Sequence, residues 1–134
     1  MSKGEGQVRA QRWITREDLR TSPNTLYVFG DNMERRGLGG QAREMRGERN
    51  AVGIPTKWSP HRGESAFFRD SDLEAVRGHI DGAFAVLSAH LKKGEDVVFP
   101  SDGIGTGLAH LPRRAPKIYA HILAKLAALG EMRN

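Results

Sequence analysis

The chain has 134 residues, 38% of them apolar and 28% charged, and its 21 Lys and Arg against 16 Asp and Glu give a formal net charge of +5. One ordinary domain fits that length; a second core does not. The absence of cysteine excludes disulfides, thiolate metal sites and cysteine nucleophiles. No stretch approaches the ~20 apolar residues that span a bilayer, so a soluble, cytoplasmic protein with no membrane partner is expected.

Residues 1–7 are polar, lack the apolar run of a signal peptide, and are expected to be a flexible N-terminus before a single domain over 8–134. Val8 to Ile14 reads as a short edge strand. Thr15-Arg16-Glu17-Asp18 has the spacing of a helix N-cap with an acid at N3. Thr25 to Phe29 is a buried-strand run rich in β-branched and aromatic residues. Gly30 to Gly37 is a loop, Gly39 to Arg46 a short helix, and Ala51 to Ile54 a brief strand stopped by Pro55. The long polar segment from Thr56 to Asp70 is of a length that more often serves function than mere connection.

Ser71-Asp72-Leu73-Glu74 predicts a capping box. Behind it Leu73, Val76, Ile80, Phe84, Leu87 and Leu91 recur three and four apart, the apolar stripe of a long helix ended by Gly94. Asp96 to Pro100 is the next strand, Ser101 to Leu111 a second glycine-rich loop, and Pro112 opens a last helix with Ile118, Ile122, Leu126 and Leu129 inward. Strands alternating with helices imply an α/β fold with a mostly parallel sheet covered on both faces.

Glycine is costly inside regular elements, so 16 of them point to backbone sites with special geometry. Two clusters, Gly30 to Gly40 and Gly103 to Gly107, each join a strand to a helix. In a parallel sheet such loops gather at the carboxyl edge, where ligands bind. Without Cβ atoms, backbone N–H groups can close on a phosphate, helped by a helix N-terminus. Either loop alone also reads as a tight turn; both on one edge favour a pyrophosphate clamp. Neither is a P-loop nor has G-x-G-x-x-G spacing.

The candidate lining is Asp31, Asn32, Gly37, Gly39, Gly40 and Gln41 from the first loop, and Thr56 and Lys57 after the third strand. The second loop adds Ser101, Gly103, Ile104, Gly105, Thr106, Gly107 and Leu108. The Asn32 amide suits ribose hydroxyls or an Asx turn. Lys57 suits a phosphate or ribose and Trp58 a base, or they are a surface lysine beside a half-buried tryptophan. The five histidines show no metal-ligand spacing; His110 is the one near the candidate site. No metal and no cofactor are expected.

These residues resemble macro domains, a family that binds ADP-ribose. Trp13-Ile14-Thr15 through Tyr27-Val28-Phe29-Gly30-Asp31-Asn32 resembles the family's early segment, whose asparagine contacts the distal ribose. Gly37-Leu38-Gly39-Gly40-Gln41-Ala42 resembles its first glycine loop and Gly103-Ile104-Gly105-Thr106-Gly107-Leu108 its diphosphate loop. Ile54-Pro55-Thr56-Lys57 is similar to the branch that removes ADP-ribose from glutamate, whose nucleophilic lysine corresponds to Lys57. The resemblance implies a three-layer α/β/α macro-like domain with a mostly parallel, mixed sheet. It implies an ADP-ribosyl hydrolase, with ADP-ribose or a similar nucleotide as partner, free or carried on a protein or nucleic acid.

The pattern departs at two places. Ala109 stands where that branch has an acid, with His110 beside it as a substitute acid/base, and Arg12-Trp13 stand where the adenine-binding aspartate is expected. A pI near 10.0 and an arginine-rich stretch support a rival class, a basic nucleic-acid-binding module. Its binding would weaken steeply with salt and ignore free ADP-ribose.

Overall fold

The computed structural model describes residues 4–130 and the backbone of Met132 and Arg133. The strands are β1 (Val8–Gln11), β2 (Leu26–Asn32), β3 (Ala51–Lys57), β4 (Val97–Pro100) and a two-residue β5 (Met132–Arg133). Between them run the helices α1 (Arg16–Thr21), α2 (Ala42–Met45), α3 (Leu73–Lys92), α4 (Leu111–Arg114) and α5 (Pro116–Leu129). The sheet order is β3-β2-β4-β1-β5, and every neighbouring pair is parallel. The fold is α/β, as expected, but the sheet is not mixed. The described antiparallel contact is one isolated bridge, Lys57 to Phe67.

Successive side chains of a strand point to opposite faces, and here the two faces feed different cores. Val28, Ile54, Val97 and Phe99 pack with Val76, Ile80, Phe84 and Leu87 of α3 and with Ile118 and Ile122 of α5. Tyr27, Phe29 and Val98 pack on the other side with Ile14, Leu19, Ala42 and Met45. Helices therefore cover both faces, giving three layers. Each fully buried Leu, Ile or Phe contributes about 1.5–3 kcal/mol, so the larger α3/α5 side carries most of the stability.

Several local expectations change. β1 ends at Gln11 and lies inside the sheet, because β5 pairs along its outer edge. β3 continues through Pro55 to Lys57; the missing N–H is tolerated because β3 is an edge strand. α2 is a single turn rather than a helix from Gly39. The last helix is split at Ala115-Pro116 into α4 and α5. Thr15 caps α1 with Asp18 in a capping box, as its spacing predicts.

The capping box expected over Ser71 to Glu74 is not formed: the N-cap of α3 is Asp72 rather than Ser71, and its side chain makes no cap hydrogen bond. Its Oδ2 instead accepts from the Arg69 N–H at 2.8 Å and the Trp58 Nε1–H at 3.1 Å. Of the expected flexible N-terminus, residues 1–3 lie outside the described residues. Within that same segment, the Gly6 and Gln7 N–H groups donate to Leu91 O and Asp96 Oδ1, both at 2.8 Å. Among the described residues no helix is long and apolar enough to cross a membrane.

Candidate nucleotide-binding cleft

The carboxyl ends of β2, β3 and β4 and the segment after β1 open into one cleft of about 540 Å3. Sheet order lays it out in a line: Lys57 on β3, Asp31 and Asn32 on β2, Ser101 and Asp102 after β4, Arg12 and Trp13 after β1. Adjacent strands sit about 4.8 Å apart, so the Lys57 and Trp13 ends are separated by roughly 14 Å. An elongated ligand fits that geometry better than a single phosphate.

The first loop leaves β2 and is tied back by polar side chains. Arg46 Nη2 donates to Asp31 Oδ1 at 2.6 Å and to Arg36 O at 3.2 Å, while its Nε donates to Gly37 O at 2.8 Å. Asn32 Nδ2 also donates to Arg36 O, at 2.7 Å. Gly37 has φ +94°, and a Cβ there would lie 2.8 Å from Pro60 Cβ. Only glycine meets both conditions without strain.

The second loop is tied by burial. Ile104 is 5% exposed, Ala109 is buried and Leu111 is fully covered, and the Leu111 N–H donates to Gly105 O at 2.8 Å. Gly105 has φ +79°, with Leu111 Cδ2 2.8 Å from where its Cβ would stand. The loops touch: a Cβ on Gly39 would meet Leu108 Cδ1 at 2.8 Å.

Among the described residues, the N–H groups of residues 37–41 in the first loop and 104–109 in the second have no hydrogen-bond acceptor. Apart from Leu38 and Ile104, the residues of these two runs line the same cleft, whose lining carries the cations Arg12, Arg36, Arg46 and Lys57 against the carboxylates Asp31 and Asp102. Asn32 is 8% exposed, and its Oδ1 is buried without a partner. With Nδ2 donating to the Arg36 carbonyl, that covered oxygen is an unsatisfied acceptor.

Lys57 lies at the far end. Its Nζ donates to His61 O at 2.8 Å and sits 4.5 Å from the Phe67 ring centroid. Burial, then repulsion from Arg114 and Arg62, holds its pKa below the ordinary lysine value, which favours the free amine. Arg114 lies 3.8 Å over the same ring and pairs with Glu64 at 2.9 Å. That hydrogen bond draws the Glu64 carboxyl down and the Arg114 guanidinium up.

A family model described as a family of unknown function (DUF7831) matches residues 9–125. The chain belongs to that family. No curated protein and no solved structure matches it. The matched span contains both glycine loops, Lys57 and every residue that lines the cleft.

All the sequence candidates line the cleft except Ile104, His110 and Trp58. Ile104 faces the core and plugs the second loop from below. His110 is exposed, adopts φ +47°, and lies 6.2 Å from the Phe67 ring, behind the wall rather than in it. The side chains of Gln41, Thr56 and Thr106 are engaged as well. Gln41 is bonded to the Ile14 backbone on both sides, Thr56 Oγ1 donates to Asp31 O, and Thr106 Oγ1 donates to Asp102 O.

Trp58 does not face the cleft. It packs edge-on against Phe68, 5.1 Å between centroids, with its N–H held by Asp72. Trp13, not Trp58, is the tryptophan on the cleft wall, and it is 53% exposed. Arg12, Arg36, Arg46, Pro60 and Asp102 also line the cleft beyond the sequence candidates. Ending β1 before Arg12, as the polar pair Gln11-Arg12 allows, would have put Arg12 and Trp13 in a strand-end loop. No sequence signal marks Arg46, which reaches the loop only through the turn of α2.

Proposed function

We propose that the cleft binds ADP-ribose or a related phosphorylated nucleotide. The observation that carries this reading is the convergence of two acceptor-free amide runs, 37–41 and 104–109, on one cleft. Backbone N–H groups in such turns hold phosphate oxygens, and two facing turns match the two phosphates of a pyrophosphate. Asn32, on the cleft wall and with its covered Oδ1 still lacking a partner, is the residue assigned to the ribose. At the other end the exposed Trp13 indole offers a flat wall on which a base stacks.

Hydrolysis extends this reading. The Lys57 amine attacks the anomeric carbon of a carrier-linked ribose; a C–N bond forms, the C–O bond to the carrier carboxylate breaks, and the electron pair leaves with the carboxylate. The ammonium centre sheds a proton to solvent, and water then displaces the lysine to release ADP-ribose. The lowered pKa of Lys57 supports this role, as does its place on the edge strand, at one end of the cleft.

Calorimetry against ADP-ribose, AMP, NAD and a short oligonucleotide at two salt concentrations tests the binding. Saturable binding of ADP-ribose, tighter than AMP, is expected. Tight oligonucleotide binding that collapses with salt while ADP-ribose is ignored would replace this reading with the nucleic-acid module. For the chemistry, Lys57→Ala should abolish ADP-ribose release from a modified protein and leave binding largely intact. Full activity in that variant would eliminate the lysine mechanism.

A further inference from the structure

Buried ion pairs cost desolvation and are seldom kept for stability alone. Asp31 and Arg46 form such a pair: the carboxylate side chain is 3% exposed and the guanidinium 21%. Gly53 makes room for it, since a Cβ there would lie 2.8 Å from Asp31 Oδ2. The same Oδ1 that takes the short Arg46 hydrogen bond also accepts from the Asn32 N–H at 2.8 Å.

The guanidinium does more than neutralise that charge. Its Nε and Nη2 reach past Asp31 to the carbonyls of Gly37, at 2.8 Å, and Arg36, at 3.2 Å. A trans peptide is planar, with its C=O and N–H pointing opposite ways. Pinning these two carbonyls on Arg46 therefore turns the N–H groups of Gly37 and Leu38 away from it. Both belong to the acceptor-free run.

We infer that Arg46 is a positioning residue: anchored by Asp31, it sets the peptide planes of the first glycine loop so that its amides face an anionic ligand. The inference rests on the phosphate-binding reading of that loop, and it deepens that reading by naming what pre-organises the site. A planar fork of five donors can hold a carboxylate and two carbonyls at once, and a lysine ammonium lacks that geometry.

The test uses the full chain with Arg46→Lys and with the double variant Asp31→Asn/Arg46→Met, which leaves no unpaired buried charge. ADP-ribose and inorganic pyrophosphate are the probes. In the ligand-free protein, backbone order parameters at Gly37, Leu38 and Gly39 should fall from a rigid value of about 0.85 toward 0.6 in both variants, with the second loop unchanged. Affinity for both probes should fall by about tenfold or more, because pre-organisation is lost. If Arg46→Lys keeps wild-type affinity, Arg46 acts only as a charge and the inference is overturned. Unchanged order parameters overturn it as well. Should the wild type bind neither probe, the phosphate reading fails, while the order parameters still decide whether Arg46 fixes the loop.

Discussion

The two glycine-rich loops meet over one cleft but are held by opposite means. The first hangs on polar and charged side chains, with Arg46 and Asn32 donating to its carbonyls and Asp31 anchoring Arg46. The second is pulled down by apolar ones, with Ile104, Ala109 and Leu111 sunk into the core. A loop held by directional hydrogen bonds can be disturbed without unfolding the domain. A loop held by burial shares the fate of the core.

Leu111→Ala should break the second loop most severely. Deleting a fully buried leucine costs about 2–5 kcal/mol, and here it also removes the floor under Gly105. Chemical denaturation should show that loss in full, whereas a loss under about 1 kcal/mol would mean the loop is anchored elsewhere. Gly105→Ala should cost about 1–3 kcal/mol, because φ +79° and the 2.8 Å approach of Leu111 act together. Its melting temperature should drop with the first loop's amide signals in place.

Trp13→Ala sharpens the comparison from the ligand's side. The indole is half exposed, so folding stability should stay within about 0.5 kcal/mol. ADP-ribose binding should nevertheless weaken by about 1–3 kcal/mol, with pyrophosphate binding unchanged. Equal loss for both ligands would remove the base from that end of the cleft.

The smallest effect is that of acid. On the first loop's side Asp18 is held below its ordinary pKa, first by the Thr15 backbone N–H, and Glu48 by Arg20 and then Arg16. A depressed carboxylate pKa gives stability that is present above the unfolded value, about 4, and is lost as pH falls through the folded value. Signals from α1 and α2 should therefore broaden as pH is lowered below about 4. Those around the Glu64–Arg114 pair beside the second loop should broaden too, because the Glu64 carboxyl is also depressed. Simultaneous loss would show that the two sides unfold as one unit.

Much of this was legible in the sequence where local chemistry and tertiary structure agree. The α3 stripe, the Thr15 cap and the glycine clusters each carry their own signal. The failures occur where a distant residue decides. Pro55 is tolerated because β3 lies at an edge, which its own sequence does not reveal. Trp58 carries the same side chain as Trp13, but Asp72 and Phe68 hold it away from the cleft. Arg46 reads as one more surface arginine until α2 turns it under the loop.

The central claim is that amides of both loops bind phosphate oxygens in one cleft. Titrating ADP-ribose into 15N-labelled protein and following amide proton and nitrogen shifts tests it most directly. The amides of residues 37–41 and 104–109 should move together and reach saturation at the same ligand concentration. Shifts confined to one loop, or clustered on the opposite edge of the sheet, would contradict the account.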